Sequence, residues 1–571
     1  MEPQPAGVVA ASSRSATELT LRGARISSGL GMGRAWIAAD ILDRREVAAR
    51  IEPHRVEAEW ERIRHAFSRV GADLQKSARR VSEQFDPSLA EIFRAHQMML
   101  DGLLASHEFE RELNESLVTA AEAVRTVFGR WEAKFASLEV ETFRQRADDV
   151  VDLARRVLRQ LDGSGPSGFD AIPAGSVLVA RRLLPSDVVS LSLRDVAAIL
   201  VEQLGQGSHA ALLAREKTIP VVAQLPGLLA QVRRGDEVLV DAFRAVAVVS
   251  PSAETRRDFE RRLEQARANL FRCKGECHKP AITRDGQTVR VEANLATGEQ
   301  VQLLVENGAD GVGLFRIEQL YLARELPPSE DELFEEVAQL VAPLREKPVT
   351  IRLLDIGGDK SIPSVRLPVE PNPALGKRGV RLLLDQPRLL GTQLRALLRL
   401  SQLQPIRILV PMVTLARDME QIREQLTAVA RELGMRELPA LGAMIETPAA
   451  ALTIAQIAEH ADFLCVGTND LTQYTLAAGR DNESVSQYYA DDHPSLLRLL
   501  GIIIAEASGK PVTICGELAG REEVIPTLLR MGFRGLSIAP RLIPTTKELI
   551  RSIQIVGSDQ VGSRAPAVAG Q

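Results

Sequence analysis

Phe463-Leu-Cys-Val-Gly-Thr-Asn469-Asp470 is a mostly apolar run that stops on two polar side chains. A short apolar run with such an end reads as a strand buried on both faces of a parallel sheet. The same form recurs as Val289–Asn294, Gly311–Arg316, Thr350–Ile356, Arg407–Met412, Leu441–Glu446, Phe463–Asn469, Val512–Gly516 and Leu536–Ala539, with helical patterns between. Strands alternating with helices in this number and length predict a (β/α)8, TIM-like barrel. On six of the eight, polar residues collect at one place, the C-terminal end. They are Asn294, Arg316 with Glu318, Arg352 with Asp355, Glu446, Asn469 with Asp470, and Cys515 with Glu517. Barrels of this kind keep their active sites on that rim.

The rim has a recognisable chemistry. Arg316 and Arg352, with Arg378, Lys360 and Arg480 as further candidates, bring fixed positive charge to one mouth. Arginine forks match phosphate and carboxylate oxygens in a bidentate way. Glu446 and Asp470, read as ends of neighbouring strands, are suited to a Mg²⁺ that keeps waters and shares a phosphate oxygen. The set fits phosphoryl transfer by positioning and charge neutralisation. A thiol at Cys515 can move a proton at carbon. Against this stands a plainer reading, in which the arginines and carboxylates pair with each other and Cys515 is a small buried residue. Cys465, inside an apolar strand, reads as filler.

Upstream, Gly205-Gln-Gly-Ser-His209 follows the apolar run Ala197–Val201 and opens into a helical pattern. Ser208 is the expected N-cap and His209 lies in the first turn. A helix N-terminus stabilises an anion, so a phosphoryl group carried on the ring of His209 would be favoured there; a histidine without a task is the other reading. Between Val56 and Gly163 the period becomes helical. Val56, Trp60, Ile63, Phe67, Val70 and Leu74 form one seam, and four amphipathic helices in all predict a small bundle with no evident catalytic residue. Glu254–Phe271 reads as a charged linker helix with Phe259, Leu263, Ala266 and Leu270 on one stripe. Cys273, Cys277 and His278 beyond it lack the fourth ligand that tetrahedral zinc needs and read as structural.

The chain has 571 residues, 45% of them hydrophobic and 25% charged, as in soluble multidomain proteins. A net charge of −5 and 4% aromatics argue against nucleic-acid binding, and no apolar run has the length to span a bilayer. Four cysteines are too few for a disulfide framework and point to the reducing cytoplasm.

Val312-Gly-Leu-Phe-Arg-Ile-Glu-Gln-Leu-Tyr-Leu-Ala-Arg324, Arg352-Leu-Leu-Asp-Ile-Gly-Gly-Asp-Lys360, Glu446-Thr-Pro-Ala-Ala450, Gly467-Thr-Asn-Asp-Leu-Thr-Gln-Tyr-Thr475 and Cys515-Gly-Glu-Leu-Ala-Gly520 resemble the phosphoenolpyruvate–protein phosphotransferase family, enzyme I of the bacterial sugar phosphotransferase system. The turn at His209 and the Glu91–Leu100 helix place the N-terminal half in the same resemblance. It implies a multidomain α/β chain, in which a swivelling phosphohistidine domain carries an inserted helical bundle and precedes the barrel. The expected organisation is a disordered leader over 1–19, the phosphohistidine domain over 20–50 and 164–250, and the phosphocarrier-binding bundle over 51–163. A linker helix over 251–280, the barrel over 281–556 and a flexible tail over 557–571 complete it. It further implies that phosphoenolpyruvate binds through Arg316, Arg352, Asn469, Asp470 and Arg480, with Mg²⁺ on Glu446 and Asp470. His209 then takes the phosphoryl group, Cys515 protonates the enolpyruvate, and a histidine of the phosphocarrier HPr receives the phosphoryl group. A homodimer through the barrel is implied as well.

The chain departs from the family pattern near its histidine. Leu204 and Gly207 stand where a glycine and a threonine are usual, and Leu184 replaces a threonine upstream. Near the rim, Ile317, Gln319 and Gly479 replace threonine, phenylalanine and aspartate. A nucleotide-using dikinase would need a domain for which residues 1–200 leave no room. A nitrogen-regulatory or transfer-deficient regulatory paralogue is the alternative that these departures keep open.

Overall fold

The computed structural model describes residues 18–555, apart from 39–49, 85–86, 137–145, 164–171, 185–186, 189–190, 192–194, 205–208, 217, 323, 325, 359–361, 363–364, 366, 368–369 and 480–482. It contains two compact units, Met1–Glu46 with Gly163–Arg267, and Val47–Asp162 with Ala268–Gln571.

The first unit is built on an eight-stranded mixed sheet. Its strands are β1 (Leu19–Arg22), β2 (Ala24–Ser27), β3 (Leu30–Ile37), β4 (Val177–Arg182), β5 (Ala198–Gln203), β6 (Val221–Ala223), β7 (Glu237–Asp241) and β8 (Val246–Val249). They lie in the order β1-β8-β7-β3-β4-β5-β6-β2, with β3 to β6 parallel to one another. Val177 to Ala180 and Ala198 to Val201 are buried on both faces, which is why these segments read as unbroken apolar runs. The glycines alternating in β3 have a steric cause. A Cβ at Gly31 would sit 2.2 Å from the Ala197 carbonyl oxygen, and one at Gly33 would sit 2.0 Å from that of Gly175. The helix His209–Glu216 follows β5.

The second unit begins with helices α1 (Val56–Gln84), α2 (Pro87–Ala105), α3 (Glu108–Ser116), α4 (Ala120–Ala136) and α5 (Arg146–Asp162). Four were expected; α3 is the addition, too short and acidic to announce itself, with only Phe109 and Leu113 turned inward. Ile63, Phe67, Val70 and Leu74 are buried as the seam predicts, and Phe67 meets Phe109 edge-on at 5.2 Å between ring centroids. Buried Glu59 accepts a hydrogen bond from the Ala120 N–H at 2.8 Å and so caps α4. His96 is buried against α5, with Nε2 2.9 Å from Asp149 and Nδ1 3.3 Å from Asp152.

The linker helix, Ala253–Gly275, does not bury the stripe expected of it. Phe259 is inside, whereas Leu270 is 42% exposed. Ion pairs hold it instead, from Arg262 to Asp241 and from Arg272 to Glu548. Cys273 and Cys277 are buried, the second donating to the Glu306 carbonyl at 3.4 Å.

The remainder is the barrel. A two-residue strand, β9 (Ala281–Ile282), pairs antiparallel with β10 (Thr288–Leu295). Then come β11 (Val312–Arg316), β12 (Val349–Arg352), β13 (Ile406–Val413), β14 (Ala440–Ile445), β15 (Phe463–Gly467), β16 (Val512–Cys515) and β17 (Gly535–Ile538). Strands β10 to β17 are parallel, and β10 closes the barrel by pairing with both β11 and β17. Two strands end two or more residues earlier than expected, β12 at Arg352 and β15 at Gly467. Leu314, Leu409, Met444, Phe463, Cys465 and Cys515 pack together as a second core beside the larger one. Among the described residues no helix is long and apolar enough to cross a membrane.

Candidate active site

The early end of β12 is where the site starts. Leu353 still donates to the Leu409 carbonyl, but the next two N–H groups leave the ladder. Leu354 turns to the Gln393 side chain and Asp355 to Glu318 Oε1, each at 2.9 Å. This bend puts Arg352, Asp355 and Glu318 together. Arg352 reaches Glu318 at 2.7 Å and Asp355 at 3.3 Å while remaining only 4% exposed. Burial works against its charge, but Glu318, Asp355 and Glu446 outweigh that and hold it protonated.

Arg378 extends the network. Its guanidinium grips Asp355 through Nε and Nη2, both at 3.0 Å, and Asp470 through Nη1 and Nη2 at 2.8 and 3.0 Å. A buried arginine between two carboxylates is a fixed fork that sets both acids. The plainer sequence reading therefore holds for part of the rim, since Arg352 and Arg378 are paired. It does not hold for all of it. Glu446 is fully buried, and its Oε1 accepts from the Met412 N–H at 2.6 Å. That N–H is aimed by an irregularity in β13, where the register with β14 shifts and Met412 takes a left-handed φ of 55°. Among the described residues Glu446 Oε2 has no hydrogen-bond partner, and neither do Glu318 Oε2 and Arg352 Nε. Burial, reinforced by Asp470 and Asp355, pushes the Glu446 carboxyl up to about 7.

Asn469 and Asp470 are not on a strand end. They lie in the first turn of the helix Thr468–Leu476. The turn is tight because Gly467 passes over Glu446: a Cβ there would be 2.8 Å from Glu446 Oε2. Asn469 Oδ1 accepts from the Glu517 N–H at 3.0 Å, and the Thr468 hydroxyl donates to the Cys515 carbonyl at 2.9 Å. Gly516, at φ 97°, permits this contact, since its Cβ would fall 2.2 Å from Thr468 Oγ1. Cys515, 1% exposed, directs its thiol to the Val466 carbonyl at 3.2 Å.

The residues present suit a hard divalent cation. Glu446 Oε2 is an unpartnered buried oxygen beneath space that a side chain on residue 467 would fill, and Asp470 adds a second carboxylate, 21% exposed. Among the described residues no three His, Cys, Asp or Glu side chains converge as a metal cage. Two carboxylates are nevertheless the usual protein share for Mg²⁺, which takes its other ligands from water and substrate phosphate.

The structure thus brings Arg352, Glu446 and Asp470 into one network, with Asn469 in the adjoining first helical turn, Cys515 at the end of β16 and Arg316 at the exposed end of β11. Asp355 and Arg378 prove central to the network, which only the returning chain makes visible. Lys360, Arg480 and Ser208 lie outside the described residues. His209 opens its helix, and Leu184 and Leu204 are buried in the same unit.

Residues 22–146, 172–245 and 272–555 match three protein families, described respectively as PEP-utilising enzyme, N-terminal; PEP-utilising enzyme, mobile domain; and PEP-utilising enzyme, PEP-binding domain. The phosphoenolpyruvate-protein phosphotransferase of Geobacillus stearothermophilus is 34% identical over 542 residues, 93% of each chain. That of Staphylococcus carnosus is 32% identical over 559 residues, 95% of this chain and 96% of its own. That of Bacillus subtilis is 33% identical over 501 residues, 86% and 88%.

Proposed function

The chain belongs to the phosphoenolpyruvate-protein phosphotransferase family, and from that premise we propose that it moves the phosphoryl group of phosphoenolpyruvate to His209 and then to a histidine of the phosphocarrier HPr, releasing pyruvate as the first step of a sugar phosphotransferase system. The observation that carries the reading is the charge arrangement at the barrel mouth: buried arginines locked to carboxylates, beside a buried glutamate oxygen left without a partner.

In this reading Arg316, Arg352, Asn469 and Arg480 hold the phosphate and carboxylate of the substrate. Arginine forks fix their orientation, and burial strengthens each contact. Glu446 and Asp470 would hold Mg²⁺, which when bound supplies charge neutralisation at the phosphoryl oxygens. Arg378 keeps Asp470 in place by its two hydrogen bonds. The N-terminal end of the helix at His209 stabilises the phosphohistidine charge. Cys515 gives a proton to the enolpyruvate carbon. The bundle is the docking surface for HPr, and the barrel is the dimer contact.

The test is incubation of the purified protein with Mg²⁺ and phosphoenolpyruvate labelled in its phosphate, beside His209→Ala. Acid-labile, base-stable label on the wild type alone supports the proposal. Absence of label on both would favour a regulatory, transfer-deficient role, for which the apolar Leu184 and Leu204 in the histidine's unit supply the reason.

A further inference from the structure

Cys465 is more than filler. It lies on β15 two residues before Gly467, which is the register partner of Cys515 on β16. Its sulfur is 3.3 Å from that of Cys515, and the geometry makes Cys465 the donor. The thiol hydrogen of Cys515 is itself directed to the Val466 carbonyl. Each sulfur therefore has a distinct place in a short chain running from Cys465 to Cys515 to the backbone.

We propose that Cys465 is a positioning residue for proton transfer at Cys515: its S–H is aimed at the Cys515 sulfur and stabilises the thiolate formed when Cys515 gives up its proton. This rests on the reading of Cys515 as the acid. In the step, loss of the phosphoryl group leaves the enolate of pyruvate. The enolate C=C electron pair takes the proton from Cys515, a C–H bond forms, the S–H bond breaks, and the oxygen becomes the ketone. The negative charge moves to sulfur, and water reprotonates the thiolate after pyruvate leaves. A thiol is a weak donor, but donation to an anion in a low-dielectric interior is charge-assisted.

Cys465 keeps its proton for this task. Its hydrogen bond to Cys515 acts first, then burial, then the negative charges of Cys515, Glu292 and Glu446, and together they hold its thiol well above the usual range. The charged groups around the pair are Glu292 on β10 with its partner Arg407 on β13, Glu446 after β14, and Arg352 beside Met444. The donor role is separable from general burial only by replacing Cys465 itself.

The experiment uses the full chain as Cys465→Ala, Cys465→Ser and Cys515→Ala. Two quantities are read: pyruvate formation from phosphoenolpyruvate, and the pH profile of Cys515 alkylation by iodoacetamide, mapped by peptide mass spectrometry. Cys465→Ala is expected to move the alkylation midpoint up by roughly one pH unit and to slow pyruvate formation roughly tenfold. Cys465→Ser, which still donates, is expected to stay near wild type in both. Should alanine unfold the barrel, Cys465→Val fills the space without a donor and is expected to show the same shift. An unchanged alkylation profile in the alanine or valine variant overturns the proposal, as does a serine variant as impaired as alanine. Wild-type pyruvate formation by Cys515→Ala would instead sink the reading of Cys515 on which the proposal rests.

Discussion

Two charged clusters within the barrel, one near the strand starts and one at the mouth, follow opposite rules. Near the start of β13, Arg407 meets a single acid, Glu292, at 2.6 Å, one cation for one anion. At the mouth, Arg352 and Arg378 face Glu318, Asp355, Glu446 and Asp470, so these six side chains carry two more negative charges than positive when all are ionised. A neutral pair is a structural element whose desolvation and attraction nearly cancel. An excess of buried negative charge destabilises the fold until something cationic arrives or a proton stays on, and the burial of Glu446 beside Asp470 and Asp355 pushes its carboxyl upward accordingly. The difference separates a group kept for the fold from a group kept for a ligand.

The sharpest way to break the comparison is Glu446→Gln. Initial rates of labelling from phosphoenolpyruvate should fall by roughly 10²–10³, the range for losing one group that offsets transferred charge; a rate near wild type would make the excess charge incidental. Arg378→Met comes next. It strands Asp355 and Asp470 without their cation and should destabilise the barrel by about 3–5 kcal/mol in urea unfolding, because breaking a buried pair leaves an uncompensated charge. Gly467→Ala should raise the Mg²⁺ concentration for half-maximal labelling roughly tenfold, since its Cβ occupies the space over Glu446 Oε2. The pH dependence of stability tests the same charge. The folded-state value of Glu446, about 7, lies above its ordinary 4.5, so the folded protein binds the extra proton between those values. Its contribution is fully present below about 4.5 and is lost as pH rises through about 7. The melting temperature of metal-free protein should therefore fall across that window, and either Glu446→Gln or added Mg²⁺ should flatten the fall. The smallest effect is expected lower down. Glu292→Leu combined with Arg407→Met should leave stability unchanged or raise it by about 1–2 kcal/mol, because the desolvation of a buried pair offsets its attraction, and should leave labelling near wild type.

The barrel was legible because its strands repeat one form, a short apolar run that in six of the eight stops at a polar side chain, and parallel burial forces that form on the sequence. The rim was legible for the same reason: Arg352 and Glu446 stand where the apolar run stops. What escaped depended on where the chain returns. Thr468–Leu476 is polar enough to read as the end of a strand, and only the close passage of Gly467 over Glu446 makes it a helix start. Arg378 carries no local mark of a residue that bridges two acids contributed from distant segments. Cys465 obeys strand alternation so well that its contact with Cys515, 50 positions along the chain, is invisible until the sheet is closed. Helix α3 was missed because nine residues with two inward side chains fall below what periodicity resolves.

The pairing of β3 with β4 carries a consequence for how the chain is made. Ala35 lies beside Val177, so two neighbours in one sheet are separated by the whole bundle. During synthesis β3 leaves the ribosome long before its partner exists, and closing so long a loose loop is slow. A bundle already folded shortens the search by bringing the chain back on itself. The insertion thus sets when partners become available: the bundle's segment is complete before β4 exists, and β10 waits for β17, the last strand of the barrel.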